Sequence, residues 1–250
     1  MEWQGEAIVL ANAQHGETSA IVDVLSAEQG RYRGLVRGGR SPRLRGTLQP
    51  GAVVRASWRG RLAEHLGTLT CELHRAISAA VLLDAVRLAA LRSACAMVAT
   101  ALPVQEPHAG IFARLSDLLQ CLGERDDWAG AYLAWELALL ADLGYGLDLS
   151  RCAATGATSD LAFVSPRSGR AVSRAAGDPY RHKLLALPPG LGQAGRSLTA
   201  PEIEQGLALT GYFLAKHVYG STAGGPPTAR ARLVSLLAET DRAVAPGGNA

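Results

Sequence analysis

Lysine is almost missing from this chain of 250 residues. Of 25 basic side chains, only Lys183 and Lys216 are lysines and the other 23 are arginines. A phosphate-binding P-loop needs Gly-Lys-Ser/Thr after a glycine-rich turn, and neither lysine has that setting. Cysteine is sparse too. Cys71, Cys95, Cys121 and Cys152 form no Cys-x-x-Cys pair, so no metal knuckle or disulfide framework is expected. Reduced thiols in a cytoplasmic setting are the expectation. The opening Met1-Glu2-Trp3-Gln4 has neither a cationic nor an apolar leader, and no secretory signal is expected. The longest apolar stretch, residues 79–104, carries Asp84, Arg87 and Arg92, which speaks for an amphipathic helix and against a membrane span.

Catalytic patterns are missing as well. The six histidines have no His-x-x-x-His spacing, and no Gly-x-Ser-x-Gly elbow occurs. Asp126-Asp127 reads as the start of a helix. Gly190-Leu-Gly192-Gln-Ala-Gly195 matches G-x-G-x-x-G, but Pro188-Pro189 breaks any strand before it and Arg196-Ser-Leu198 delays the helix after it. A dinucleotide cradle must join strand to helix directly, so this is expected to be a glycine-rich loop. No enzyme, cofactor or metal is expected.

What the chain does have is two kinds of periodicity. Residues 6–10, 18–25, 31–36, 52–58 and 66–73 are short, rich in β-branched residues and separated by Gly and Pro turns. Five such strands in about 75 residues fit a small closed barrel of the OB-fold kind. Helical patterns follow at 79–102, 109–122 and 130–143, the last stopped by Gly144. Residues 150–198 are irregular. Thr199-Ala-Pro-Glu202 is a capping box opening a helix to about Tyr219, and a last helix is expected at 228–244 before a frayed tail. The fold class is therefore α+β. Residues 1–76 are expected to form a five-stranded OB-fold barrel, and residues 77–250 a helical domain with an irregular insertion at 150–198.

Charge is segregated. Residues 31–61 hold nine arginines (Arg31, Arg33, Arg37, Arg40, Arg43, Arg45, Arg55, Arg59 and Arg61) and no acid, while the remainder holds 16 basic and 22 acidic residues. One basic region on an otherwise acidic chain is the footprint of a polyanion site. Arg31, Arg33, Arg37, Arg40, Arg43, Arg45, Arg59 and Arg61 are the expected DNA-binding residues. Tyr32 and Trp58, interleaved with them, are candidates for base stacking, with the barrel core as their other place.

The ordered set of motifs resembles the bacterial RecO family of recombination mediators. It comprises Ala7-Ile-Val-Leu10, Gly16-Glu-Thr-Ser19, Gly30-Arg-Tyr-Arg-Gly34, Val36-Arg-Gly-Gly-Arg40, Leu48-Gln-Pro50 and Val54-Arg-Ala-Ser-Trp58-Arg-Gly60. It continues through Leu139-Leu-Ala-Asp-Leu-Gly-Tyr-Gly-Leu-Asp-Leu149 into Cys152, Tyr212-Phe-Leu-Ala-Lys-His-Val-Tyr-Gly220 and Ala229-Arg-Ala-Arg-Leu233. The resemblance implies binding of single- and double-stranded DNA, strand annealing, and partnership with RecR and single-strand-binding protein so that RecA can load. It places the protein in the cytoplasm with the nucleoid, away from membranes. Many members carry two Cys-x-x-Cys pairs after the Gly-Tyr-Gly-Leu-Asp-Leu stretch. Here the first reads Cys152-Ala-Ala-Thr155 and the second falls at Ser173-Arg-Ala-Ala176, so a zinc-finger-like insertion without its metal ligands is expected. The rival reading is a protein–protein adaptor whose helices dock a partner's tail without DNA.

Overall fold

The computed structural model describes residues 1–61, 66–191, 196–220 and 225–244, with side chains through Asp241. It divides into two compact units, residues 1–125 with 227–230, and residues 126–226 with 231–250.

The first unit is built on β1 (Glu2–His15), β2 (Ser19–Ser26), β3 (Gly30–Val36), β4 (Val53–Arg59) and β5 (Gly67–Arg75). They close a barrel, as the alternation and turn spacing predict, and the strand order is β1-β2-β3-β5-β4. All pairings are antiparallel except β3 with β5, which meet in parallel through only two pairs, Gly34–Gly67 and Leu35–Thr68. Both glycines make room for one indole. A methyl on Gly67 would lie 2.3 Å from the Trp58 ring, and one on Gly34 would lie 2.5 Å from Leu69 and 3.1 Å from that ring. The Trp58 Nε1–H donates to the Arg33 carbonyl at 3.1 Å, so the side chain fills the barrel and meets its one inward polar need. Inward residues alternate along every strand: Ala7 and Val9, Val22 and Val24, Val54 and Ala56, Leu69 and Cys71.

β1 exceeds its expected length at both ends. Its first residues pair Trp3 with Trp58, and its far half forms a hairpin arm with β2 whose residues 11–15 are exposed on both faces, which hides the alternation. The helix expected at 79–102 is broken. α1 (Ala79–Leu83) ends at Asp84, whose extended backbone (φ −108°, ψ 113°) starts α2 (Ala85–Ala101). Asp84 Oδ1 accepts from the Val86 and Arg87 amides at 2.8 and 3.1 Å, so a carboxylate that can cap a helix stops one without Gly or Pro. α3 (Ala109–Glu124) completes this unit's helices before the short 227–230 return.

In the second unit α4 (Trp128–Asp142) packs on α6 (Ala200–Phe213). The Thr210 hydroxyl donates to the fully buried Glu136 carboxylate at 2.5 Å. α4 ends in a Schellman motif: the Gly144 amide donates to Ala141 O at 3.0 Å and the Tyr145 amide to Leu140 O at 2.8 Å, with Gly144 at φ +86°. The insertion is more ordered than its composition suggests. It contains β6 (Leu161–Val164), β7 (Ala171–Ser173) and β8 (Leu185–Ala186) in the order β7-β6-β8, with the short α5 (Arg174–Gly177). The capping box forms, and α6 runs into a π-helical turn at Leu214–Val218 where an unbroken α-helix was expected. α7 (Thr228–Val244) has the expected bounds, and the expected frayed tail at 246–250 lies outside the described residues. No helix among the described residues is long and apolar enough to cross a membrane.

Candidate nucleic-acid interface

Strand pairing decides which of the nine arginines keep an uncompensated charge. Arg31 does not. Its Nε lies 3.2 Å from Asp23 Oδ1, its Nη1 donates to Leu102 O at 2.6 Å, and its side chain is 12% exposed. Arg31 is therefore corrected from a DNA-contact candidate to a structural residue. Arg33 reaches the other oxygen of Asp23 at 3.3 Å with its head half exposed. Burial pushes the Asp23 carboxyl above its ordinary value, and the two guanidiniums oppose that shift. Arg59 grips Glu2 with Nη2 at 2.9 Å and Nε at 3.1 Å. Arg55 sits between Glu6 on β1 and Glu72 on β5 in the strand register. Every one of these acids lies outside residues 31–61, so a linear charge map cannot place them beside the arginines they offset.

The loop from β3 to β4 differs. Arg37, Arg40, Arg43 and Arg45 are all exposed, and none has a carboxylate within ion-pair distance among the described residues. The loop is not loose. The Arg40 amide donates to Thr18 O and its Nη1 to Glu17 O, both at 3.1 Å, which ties it to the β1–β2 hairpin. Gly39 packs on Ala20, where a methyl would come within 2.9 Å of Ala20 Cβ. Leu48 is buried in the barrel core and Leu44 packs against it, anchoring the turn at Pro42–Leu44. Arg40 and Arg45 line a groove of about 270 Å³ with Asn12 and Gln14. Sequence reasoning missed those two amides, because the strand was expected to end at residue 10. Arg61 is exposed beyond the end of β4.

Tyr32 and Trp58 belong to the core. Trp58 is 1% exposed, and the Tyr32 ring packs edge-on between Trp3 and Trp58 at 5.2 Å from each. A base needs an open ring face, so the stacking candidacy of both is corrected.

Hydrogen bonds tie Cys152 into the insertion. Cys152 Sγ accepts from the Ser173 amide at 3.2 Å and from its hydroxyl at 3.4 Å, and the turn closes through Gly156 N to Cys152 O at 2.9 Å. The Ser173 hydroxyl and amide, with the Thr155 hydroxyl, hold the Cys152 thiol down at about 6. Among the described residues no three His, Cys, Asp or Glu side chains gather as a metal site. Gly192–Gly195 of the glycine-rich motif lie outside the described residues. Gly190 donates its amide to Glu202 Oε1 at 2.9 Å, and Arg196 reaches the same oxygen at 2.9 Å. The N-terminus of α6 thus already faces a protein carboxylate.

Two family models match the chain: "Recombination protein O N terminal" over residues 1–76 and "Recombination protein O C terminal" over residues 82–223. The DNA repair protein RecO of Rhodospirillum centenum is 52% identical over 237 residues, covering 94% of both chains. That of Jannaschia sp. is 47% identical over 250 residues, all of both chains. That of Rhodospirillum rubrum is 48% identical over 243 residues, covering 95% of this chain and 96% of the other.

Proposed function

Since the chain belongs to the RecO family of DNA repair proteins, we propose that it is a non-enzymatic mediator of homologous recombination. It binds single- and double-stranded DNA, anneals complementary strands and helps RecA load onto DNA coated by single-strand-binding protein, together with RecR. It works in the cytoplasm on the nucleoid. The working division is residues 1–76 as the DNA-gripping domain and 77–250 as the helical domain that meets partners.

One observation carries the DNA reading: four exposed arginines on a single anchored loop, without ion-pair partners among the described residues. Guanidiniums presented this way replace counterions along a phosphodiester chain. Arg61 and the half-exposed head of Arg33 extend the same charge. A surface that neutralises phosphates while leaving base edges free lowers the repulsion between two strands, and annealing follows. Fluorescence anisotropy with a labelled oligonucleotide at low ionic strength should show tight binding. It should be greatly weakened when Arg37, Arg40, Arg43 and Arg45 become Gln together. Absence of binding by the unaltered protein overturns the reading.

An adaptor role has its own support. A groove of about 230 Å³ in the second unit is lined by Ala129, Ala200, Ile203, Leu237 and Ala238, with Glu204 and Asp241 among its polar residues. Its charge suits an apolar or basic segment and disfavours an acidic tail.

A further inference from the structure

We propose that the second unit carries its own contact surface for single-stranded nucleic acid, centred on Tyr145 and Lys216. This rests on the DNA-binding reading and adds a second place of contact.

Large exposed aromatic rings are rare in this chain. Those at Tyr145, Tyr180 and Tyr212 all lie in the second unit, whereas the four tryptophans are buried. Two of the three belong to one ring cluster. Phe213, buried at the end of α6, lies nearly parallel to His217, with centroids 6.0 Å apart and planes at 8°. His217 in turn stacks on Tyr145 at 4.9 Å and 16°. The column therefore runs outward from the core and ends on Tyr145, which is 41% exposed. Tyr212, 38% exposed, packs edge-on against Phe213 at 5.3 Å. A nucleobase added to an exposed ring of this cluster continues a stack the protein has already begun.

The cations that such a strand needs are present. Lys216, one of only two lysines, is exposed, with its Nζ 5.7 Å from the Tyr212 ring centroid and 2.5 Å from Pro166 O. That bond fixes the ammonium beside the β6–β7 turn, where the next residue is the exposed Arg167. Neither cation has a carboxylate within ion-pair distance among the described residues, and the nearby Asp148 is engaged by Arg170. Aromatic faces interleaved with uncompensated cations are what single-strand binders present.

Two backbone devices hold the surface ready. The Schellman motif fixes Tyr145 immediately after the left-handed Gly144. The π-helical turn at 214–218, closed by Tyr219 N to Leu214 O at 3.0 Å, carries Lys216 and His217. Such turns interrupt a helix at a cost and are frequent at functional sites. A platform organised before binding loses less entropy when a base arrives.

The test uses the full-length protein and a single-stranded oligonucleotide carrying 5-iodouracil. Irradiation and mass spectrometry should place a cross-link on Tyr145 or Tyr212 in the unaltered protein, a readout that needs no variant to fold. The double variant Tyr145→Leu with Lys216→Gln, in which leucine preserves apolar contact at the helix end, should bind a labelled single strand about five-fold more weakly or worse. It should also anneal complementary strands more slowly. If the unaltered protein binds DNA but cross-links only within residues 1–76, and the variant binds and anneals normally, this inference is overturned while the barrel reading stands. A surface used for a protein partner gives that same result. If the unaltered protein binds no DNA, the proposed function fails first.

Discussion

Replacing Arg37, Arg40, Arg43 and Arg45 together by glutamine removes four charges from one loop and leaves the barrel wall unaltered. All four are exposed, and the loop is held by backbone bonds and by Leu44 and Leu48, so the fold should persist. Exposed substitutions of this kind shift stability by about 0.5 kcal/mol or less each. Their effect on binding is larger and has a distinctive form. Single-strand affinity falls with salt at a log–log slope of about −0.7 per neutralised phosphate, so losing four contacts should flatten the slope by about 2.8. Between about 50 and 200 mM salt the unaltered protein should then lose about 50-fold more affinity than the variant. Anisotropy titrations with a labelled oligonucleotide at four or five salt concentrations read this directly. The control is the double change Arg55→Gln and Arg59→Gln, whose charges are already offset by Glu6 with Glu72 and by Glu2. An unchanged slope in the loop variant, or an equal flattening in the control, refutes the reasoning.

Three further outcomes are expected. Arg31→Gln removes one member of a buried ion pair and should destabilise the protein by about 3 kcal/mol in a denaturant titration, against less than about 1 kcal/mol for the half-exposed Arg33→Gln. Cys152, held at about 6, should give a thiolate absorbance step near that pH that Cys152→Ala lacks, while burial pushes Cys71 and Cys95 up to about 12. Since folding depresses its value from an ordinary 9.0, the stability it adds is complete above pH 9 and lost as pH falls through 6; melting curves of Cys152→Ala should lack that decline. Gly67→Ala places a methyl 2.3 Å from the Trp58 ring, and it should lower the melting temperature and alter tryptophan emission; normal values for both would mean that the ring has room to move.

The barrel was legible because its inward positions alternate with outward ones within single strands, as at Val54, Ala56 and Trp58. Gly144 and the Thr199–Glu202 box were legible because caps are local chemistry. The break at Asp84 was not, since an aspartate inside an apolar helical run reads equally well as a solvated side chain. The basic region was legible, but not which of its arginines stay without an ion pair. Arg31 and Arg45 look alike in sequence. Only register shows that one faces Asp23, while the other lines an open groove. The column of Phe213, His217 and Tyr145 joins residues some 70 positions apart, and no local pattern announces it.

The seam between β3 and β5 gives Trp58 a duty beyond packing. Only two residue pairs join those strands, and a single indole touches both sides of the join. With the ring gone, that join would rest on its two residue pairs alone, and the barrel should open there before anywhere else. The ring that was a candidate for base stacking therefore stands at the barrel's least-bonded join.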